Sequence, residues 1–308
     1  EFRTIDGLTI ENRAAQGKAI PDDVLEAMKG CDVLLKGPTE TPKGGTLESA
    51  NVAMRRELDL FANVRPVSVP KLGIDWTFFR ENTEGEYALG SRGVEVPGML
   101  SMDFKVTTDA GTRRIAKAAF DFARANGKTN VAIVTKANIM KKTDGMFTRI
   151  CHEVAADYPE ITAEDWYIDI MTAKLLDDKR RRDFKVVVLP NLYGDIVSDL
   201  CAGLVGGLGM APGSNIGADC AIFEATHGSA PDIAGQDIAN PTAEILSAAM
   251  MLDHLGENDA ANRIRVAVSA TLDEGEQVTG DVRRAQTGSV EGAVGTQAFA
   301  DAVIAHLA

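Results

Sequence analysis

The segment Val186-Val-Val-Leu189-Pro-Asn191-Leu-Tyr-Gly-Asp195-Ile-Val-Ser-Asp199 carries the main fold signal in this chain of 308 residues. Its first four residues are all apolar, which predicts a buried strand. Asp195 and Asp199 are four positions apart, so a helix that begins here places both carboxylates on one face. Because ligands of open α/β sheets bind at the carboxyl ends of strands, the segment also predicts a site at this junction.

The same alternation of strand and helix extends in both directions along the chain. Asp32–Leu35 and Val131–Val134 are further short apolar runs that predict strands. Helices are predicted for 112–126 and 242–254, each closed by a glycine shortly after its last residue. We therefore predict an α/β fold on a largely parallel sheet. The segment Tyr87–Thr107, rich in Gly and Val, is predicted as an arm or hairpin outside that sheet.

Composition and charge exclude several classes of protein. The hydrophobic fraction of 45% and the charged fraction of 25% are typical of globular domains. No stretch reaches the roughly 18 uncharged apolar residues of a membrane span. The net charge of −13 disfavours nucleic acid and anionic membranes as partners. Four scattered cysteines without a C-x-x-C pair indicate reduced thiols, and we expect a cytoplasmic protein.

The acidic pair of the first segment is a candidate metal site. Adjacent carboxylates repel each other unless a cation joins them, and Mg²⁺ or Mn²⁺ prefers such oxygen ligands. The alternative for Asp195 and Asp199 is a helix N-terminal charge with a solvated neighbour, and the pattern alone does not separate the two.

Basic residues cluster between positions 55 and 80, where Arg55, Arg56, Arg65 and Arg80 occur. Guanidinium forks aimed at one point would suit a substrate with two or three carboxylates. The alternative is a set of surface ion pairs with Glu48, Glu57 and Glu81, which is the better interpretation for any one arginine alone.

Other polar residues have a weaker signal. The glycine-rich stretches Ala211–Gly217 and Glu224–Asp232 could cradle a pyrophosphate on their backbone N–H groups, although tight turns are the simpler interpretation. Neither a G-x-G-x-x-G turn after a strand nor a P-loop is present. Lys136, at the end of a predicted strand, could act as a general base, and Tyr87 could donate a proton; an exposed lysine and a packing tyrosine are the ordinary alternatives.

Taken together, these motifs resemble the isocitrate/isopropylmalate dehydrogenases, which are metal-dependent β-decarboxylating enzymes. Six motifs occur in the family's order: Lys36-Gly-Pro, Ser49-x-Asn51-x-x-x-Arg55, Arg80-Glu-Asn-Thr-Glu, Lys136-x-Asn138-Ile-Met-Lys141, Asn191-Leu-Tyr-Gly-Asp195-x-x-Ser-Asp199 and Glu224-Ala-Thr-His-Gly-Ser-Ala-Pro231. The resemblance implies two intertwined α/β domains with a cleft between them. Residues 1–60 and 206–308 would form the large cofactor-binding domain, and 61–205 the small substrate and dimerisation domain, with its arm at about 87–107.

The resemblance also implies roles for individual residues. Tyr87 and Lys136 correspond to the acid/base pair, and Lys136 would reach across from the other subunit of a homodimer. Substrate contacts are implied for Ser49, Asn51, Arg55, Arg65, Arg80 and Asn138. Metal ligands are implied for Asp195 and Asp199, with Asp169 supplied by the partner subunit. Cofactor contacts are implied for Thr41, Glu224, His227, Gly228, Ser229, Ala230, Asp232, Ile233 and Asn240.

Substrate and cofactor follow from two short stretches. Ser49 and Asn51 suit the third carboxylate of isocitrate, because an alkyl group would leave them unpaired at ~1–3 kcal/mol each. Asp232-Ile233 resembles the NAD branch, since a carboxylate accepts ribose hydroxyls but repels a 2′-phosphate. We expect NAD-dependent oxidative decarboxylation of isocitrate, a tricarboxylic acid cycle reaction. Homoisocitrate, 3-isopropylmalate or tartrate as substrate, or a non-catalytic regulatory subunit, remain alternatives.

Overall fold

The computed structural model describes residues 2–40, 47–90, 92–204 and 206–307. The chain forms two compact units. The first consists of Glu1–Leu58, Ala202–Ser214 and Ala218–Ala308, and the second of Asp59–Cys201 with Asn215–Gly217. The chain therefore passes from the first unit to the second and back. The functions predicted for the two sequence-defined domains remain predictions.

The first unit combines three neighbouring strands of the main sheet with helices. Its helices and strands are α1 (Ile10–Gln16), α2 (Asp22–Lys29), β1 (Val33–Leu35), α3 (Ala50–Glu57), β9 (Pro212–Ile216), β10 (Ala221–Ala225), α8 (Thr242–His254), α9 (Asn258–Glu274), α10 (Gly280–Thr287) and α11 (Thr296–Ala305). Strand β10 lies between β1 and β9, and it runs parallel to β1. A core between the helices is centred on the fully buried Phe299.

The second unit contains five neighbouring strands of the main sheet, a separate two-stranded hairpin and helices. Its helices and strands are β2 (Ala62–Val69), β3 (Ile74–Glu81), β4 (Val94–Val96), β5 (Leu100–Met102), α4 (Asp109–Ala125), β6 (Asn130–Thr135), α5 (Thr143–Ala155), β7 (Thr162–Tyr167), α6 (Ile168–Leu175), β8 (Val186–Leu189) and α7 (Asn191–Leu204). The strand order is β2-β3-β8-β6-β7. The pairs β3–β8, β8–β6 and β6–β7 are parallel, whereas β2–β3 is antiparallel. The predicted α/β fold with a largely parallel sheet is confirmed.

Helix α4 illustrates how the sequence builds this unit. The Thr108 side chain accepts a hydrogen bond from the Gly111 N–H and caps the helix start. Ile115, Ala119 and Phe120 lie on the face that packs into the core and are fully buried. Burial of a large apolar side chain such as Ile115 or Phe120 contributes roughly 1.5–3 kcal/mol to stability. The helix begins three residues before its predicted start, because the cap is Thr108.

The predicted arm is a two-stranded hairpin. β4 and β5 pair antiparallel and form a sheet of their own, apart from the main strands. Many of its apolar side chains are exposed, with Met99 at 80%. The four cysteines are free thiols, and three of them are buried, as expected. Throughout the described ranges, the helices are too short or too polar to cross a bilayer.

Candidate active site

Asp195 and Asp199 lie on α7, which begins two residues after β8 ends. The β8 side chains are completely buried. This strand therefore holds the start of α7 at the carboxyl edge of the sheet. Asp195 and Asp199 share one face of α7, and their side chains are 33% and 50% exposed. The predicted strand, helix and carboxylate pair are all present.

Arg80 ends close to this pair from the neighbouring strand β3. Its side chain is 1% exposed, and its Nη1 contacts Asp195 Oδ1. Nε and Nη2 both donate to Asn191 Oδ1, at 2.9 and 2.7 Å. A buried guanidinium requires such acceptors, since an unpaired buried charge is strongly destabilising. Arg80 is therefore held rigidly against the first turns of α7.

Arg65 approaches the same carboxylates from β2. Nη1 donates to Asp199 Oδ1 at 2.8 Å and to Ser198 Oγ at 2.6 Å, and Nη2 lies 3.4 Å from Asp195 Oδ1. Its Nε donates to Asn63 Oδ1 at 2.8 Å. Two arginines and two aspartates thus form one compact cluster of balanced charge.

Tyr87 completes this cluster. Its hydroxyl donates to Asp195 Oδ2 at 2.8 Å, and the Arg80 guanidinium lies 5.3 Å from its ring centroid. One carboxylate therefore contacts a phenol through one oxygen and two guanidinium groups through the other. The Tyr87 hydroxyl therefore lies at the edge of a cluster of two guanidinium groups and two carboxylates.

Lys136 and Asp169 form a second polar pair in the same unit. Lys136 follows β6, and its Nζ lies 2.6 Å from Asp169 Oδ1. This hydrogen bond with the lysine holds the pKa of Asp169 below its usual value. Among the described residues, no three histidine, cysteine or carboxylate side chains are grouped closely enough to hold a metal ion. Asp169 is therefore not joined with Asp195 and Asp199 into one metal site within the chain.

The remaining predicted substrate residues are spread over both units. In the first, Ser49 immediately precedes α3, and Asn51 and Arg55 follow one turn apart on that helix. Asn51 Oδ1 accepts a hydrogen bond from Thr39 Oγ1 at 3.0 Å. In the second, Asn138 is exposed in the turn after β6.

A pocket of about 370 Å³ in the first unit collects much of the predicted cofactor set. Its lining includes the predicted residues His227, Gly228, Ala230, Ile233 and Asn240. Asp281 also lines this pocket, and its Oδ2 accepts a hydrogen bond from Asn240 Nδ2 at 2.9 Å. Asp281 was not among the predicted cofactor residues, because it lies outside the six motifs that carry the family resemblance.

The other predicted cofactor residues lie around this pocket or outside the described residues. Glu224 is a buried residue of β10, and its carboxylate lies 2.6 Å from Lys36 Nζ. Asp232 is exposed within the 3-10 turn Pro231–Ile233, and Ser229, two residues before that turn, is partly buried. Thr41 lies in 41–46, outside the described residues.

Two interpretations from the sequence are corrected. Neither the cradle nor the tight turns considered for Ala211–Gly217 are found, because Pro212–Ile216 is the buried strand β9. Proline is tolerated as the first residue of a strand, and the small side chains that follow still permit close packing. The surface ion-pair alternative holds for Arg56, which pairs with Glu48 and Glu57. Arg65 and Arg80 are buried instead.

Supporting residues of the cluster were also missed as site residues. Asn191 and Ser198 fix the two arginines, and an added Cβ at Gly194 would lie 2.6 Å from Arg80 Cβ. All three stand inside the motif Asn191–Asp199, so their position in it was the available signal. Their partners are more than 100 positions away in sequence, which is why the contacts themselves could not be predicted.

Comparison with known proteins shows which family the chain resembles over most of its length. The family model described as isocitrate/isopropylmalate dehydrogenase matches residues 5–303. The mitochondrial isocitrate dehydrogenase (NAD) subunit alpha of Macaca fascicularis is 47% identical over 270 residues, covering 85% of this chain and 77% of that protein. The mitochondrial isocitrate dehydrogenase (NAD) subunit 2 of Schizosaccharomyces pombe is 43% identical over 294 residues, covering 94% of this chain and 75% of that protein.

A solved structure agrees over nearly the whole chain. The isocitrate dehydrogenase from Methylococcus capsulatus superposes with a TM-score of 0.88 at 40% identity, covering 97% of this chain and 88% of that one. From motifs, fold and overall similarity, the chain belongs to the isocitrate/isopropylmalate dehydrogenase family.

Proposed function

We propose that this protein is an isocitrate dehydrogenase that oxidises and decarboxylates isocitrate to 2-oxoglutarate and CO₂ with NAD as the hydride acceptor. The observation that carries the proposal is the cluster of Arg65, Arg80, Tyr87, Asp195 and Asp199. Its guanidinium groups suit a polycarboxylate, its carboxylates suit a cation and its phenol suits a proton donor. The names of the similar proteins add isocitrate and NAD to this chemistry.

Substrate binding is assigned to three arginines and their neighbours. Arg65 and Arg80 are pre-organised by Ser198, Asn191 and the aspartates, so little conformational entropy is lost when a carboxylate binds. Arg55 with Ser49 and Asn51 would receive the carboxylate that distinguishes isocitrate from an alkyl-bearing substrate. Asn138 is assigned to the substrate side of Lys136.

Asp195 and Asp199 would hold Mg²⁺ or Mn²⁺. Two carboxylates on one helix face fit a hard cation that keeps open positions for substrate oxygens. When bound, the ion supplies Lewis-acid stabilisation of negative charge on the substrate oxygen. The third ligand, Asp169, is assigned to the partner subunit, in agreement with its separate pairing with Lys136.

Two side chains are assigned the proton transfers. Lys136 would accept the proton of the substrate hydroxyl, and its amine is already held at a defined carboxylate. Tyr87 would return a proton to carbon after CO₂ leaves, since its hydroxyl donates into the carboxylate cluster. Each group has a hydrogen-bonding partner that orients it, as acid/base chemistry requires.

The pocket beside Pro231–Ile233 would bind NAD, which accepts the hydride. Its predicted contacts are backbone and side-chain groups of His227, Gly228, Ala230 and Asn240. Asp232 lies in the chain between the lining residues Ala230 and Ile233, and a carboxylate there would favour ribose hydroxyls over a 2′-phosphate. This arrangement supports NAD over NADP.

The protein is proposed to act as a homodimer with shared sites. Large apolar side chains are exposed on the hairpin, including Leu100 and Met102, and on α7, where Ile196 is 59% exposed. Such surfaces are typical of protein interfaces. A non-catalytic subunit is the weaker alternative, because Tyr87, Lys136 and the three aspartates are all present.

The proposal is tested by following NADH formation and CO₂ release with isocitrate, NAD and Mn²⁺. We expect turnover that a chelator abolishes and added Mn²⁺ restores. Asp195→Asn should lose it, whereas Asp178→Asn, which alters an exposed aspartate of the same unit, should retain it. A chelator-insensitive reaction, or full activity in Asp195→Asn, would contradict the assignment.

A further inference from the structure

Lys105 and Asp144 form an enclosed ion pair in the second unit. Lys105 Nζ lies 2.6 Å from Asp144 Oδ1, and the two side chains are 6% and 0% exposed. Enclosing two charges is costly, and well-packed apolar residues often serve stability equally well. Stability alone therefore explains this pair poorly. Neither residue belongs to the substrate, metal or cofactor sets assigned above.

The second oxygen of Asp144 reaches the proposed general base. Asp144 Oδ2 accepts the backbone N–H of Lys136 at 2.7 Å. The carbonyl of Lys136 accepts the N–H groups of Ile139 and Met140, at 2.9 and 2.8 Å. Both backbone groups of Lys136 are thus fixed, and its amine extends from this anchored point toward Asp169.

Lys105 connects the same carboxylate to the segment of the proposed acid. Gly85 and Val106 exchange both backbone hydrogen bonds, at 2.9 and 3.1 Å, which brings Lys105 beside Glu86. Lys105 Nζ lies 3.6 Å from Glu86 Oε1, and Tyr87 is the next residue.

Tyr193, two residues before Asp195, closes the network. Lys105 Nζ stands 4.2 Å from its ring centroid. The Tyr193 side chain also hydrogen-bonds Asp144. The ion pair therefore contacts the segments that carry the base, the acid and the first metal carboxylate.

We propose that Lys105 and Asp144 are positioning residues for the two proton transfers. Asp144 would hold the Lys136 backbone, and Lys105 would tie it to the segment of Tyr87. The inference rests on the proposed function, because that function assigns the transfers. Displacing an acid or base from hydrogen-bonding reach lowers kcat, while the arginines that bind substrate lie outside the network.

The test compares single variants with a double variant. Lys105→Met and Asp144→Leu each leave one buried charge unpaired, so both should lower the melting temperature. The double variant Lys105→Met/Asp144→Leu removes both charges and should recover most of the lost melting temperature.

We expect kcat of the double variant to stay about 10- to 100-fold below the wild-type value, with KM for isocitrate changed by less than about threefold. Asp144→Glu, which keeps an acceptor, should partly rescue kcat, and Lys128→Met, a surface control paired with Asp75, should match wild type.

Hydrogen exchange at the Lys136 amide gives a readout without substrate. Exchange should rise by about tenfold or more in the double variant, because the buried acceptor is gone. Wild-type kcat in a stable double variant, or unchanged exchange at this amide, would overturn the inference. If the wild-type protein does not oxidise isocitrate, the proposed function fails, and this role fails with it. If the wild type is active, the variants test the positioning role alone.

Discussion

Gly194 is a position where the arginine–aspartate cluster leaves no room for a side chain. An added Cβ would lie 2.6 Å from Arg80 Cβ, so α7 or Arg80 must move. We expect Gly194→Ala to lose about 1–3 kcal/mol of unfolding free energy and to raise KM for isocitrate. Gly203→Ala is the matched control on the same helix, since its Cβ meets open space. Calorimetry and steady-state kinetics measure both effects, and equal behaviour of the two variants would show that the close approach is unimportant.

The proposed proton transfer from Tyr87 depends on its hydroxyl group and can be tested by removing that group alone. Tyr87→Phe keeps the ring beside Arg80 but removes the hydroxyl that donates to Asp195. We expect kcat to fall roughly 10²–10⁴-fold. Isocitrate binding, measured by calorimetry, and the melting temperature should change little because the guanidinium contacts remain. Near-normal kcat in Tyr87→Phe would remove the phenol from the mechanism.

At the scale of elements, the 3-10 turn Pro231–Ile233 is the proposed selector of the dinucleotide. We expect Asp232→Lys/Ile233→Tyr to move the ratio of kcat/KM for NAD to that for NADP by about 10²-fold or more toward NADP, since each charge contact with a 2′-phosphate is worth at most ~4 kcal/mol. Asp219→Lys is the control: it makes the same charge change at an exposed site that does not line the pocket. An unchanged ratio in the double variant would place selectivity elsewhere.

The elements also indicate how far sequence patterns reach. Val186–Leu189 and Thr242–His254 form the predicted strand and helix with the predicted bounds, because local periodicity and closing glycines specify them. The strand Pro212–Ile216 was missed, because its small polar residues lack strand periodicity and are buried by tertiary packing. Arg80 was predicted in the site from its motif, but the bonds that fix it to Asn191 depend on a partner 111 positions away.

At the scale of the whole molecule, an active site shared between two subunits, as proposed above, makes a prediction about mixed chains. Lys136→Met and Asp195→Asn should each be nearly inactive alone. When the two chains are co-assembled in equal amounts, half of the dimers are mixed, and each of these regains one intact site. We expect about a quarter of the wild-type activity. Native mass spectrometry would show that mixed dimers have formed. If such a mixture is as inactive as the two single variants, Lys136 and Asp195 of the same chain belong to the same active site.

The proposed oxidation of isocitrate is most directly tested by the substrate profile of the purified protein. NADH formation is measured with NAD and Mn²⁺ on isocitrate, homoisocitrate, 3-isopropylmalate and tartrate. We predict that kcat/KM for isocitrate exceeds that for each other acid by at least about tenfold, with one CO₂ released per NADH. A preference for 3-isopropylmalate, or no NADH from any of the four acids, would contradict it.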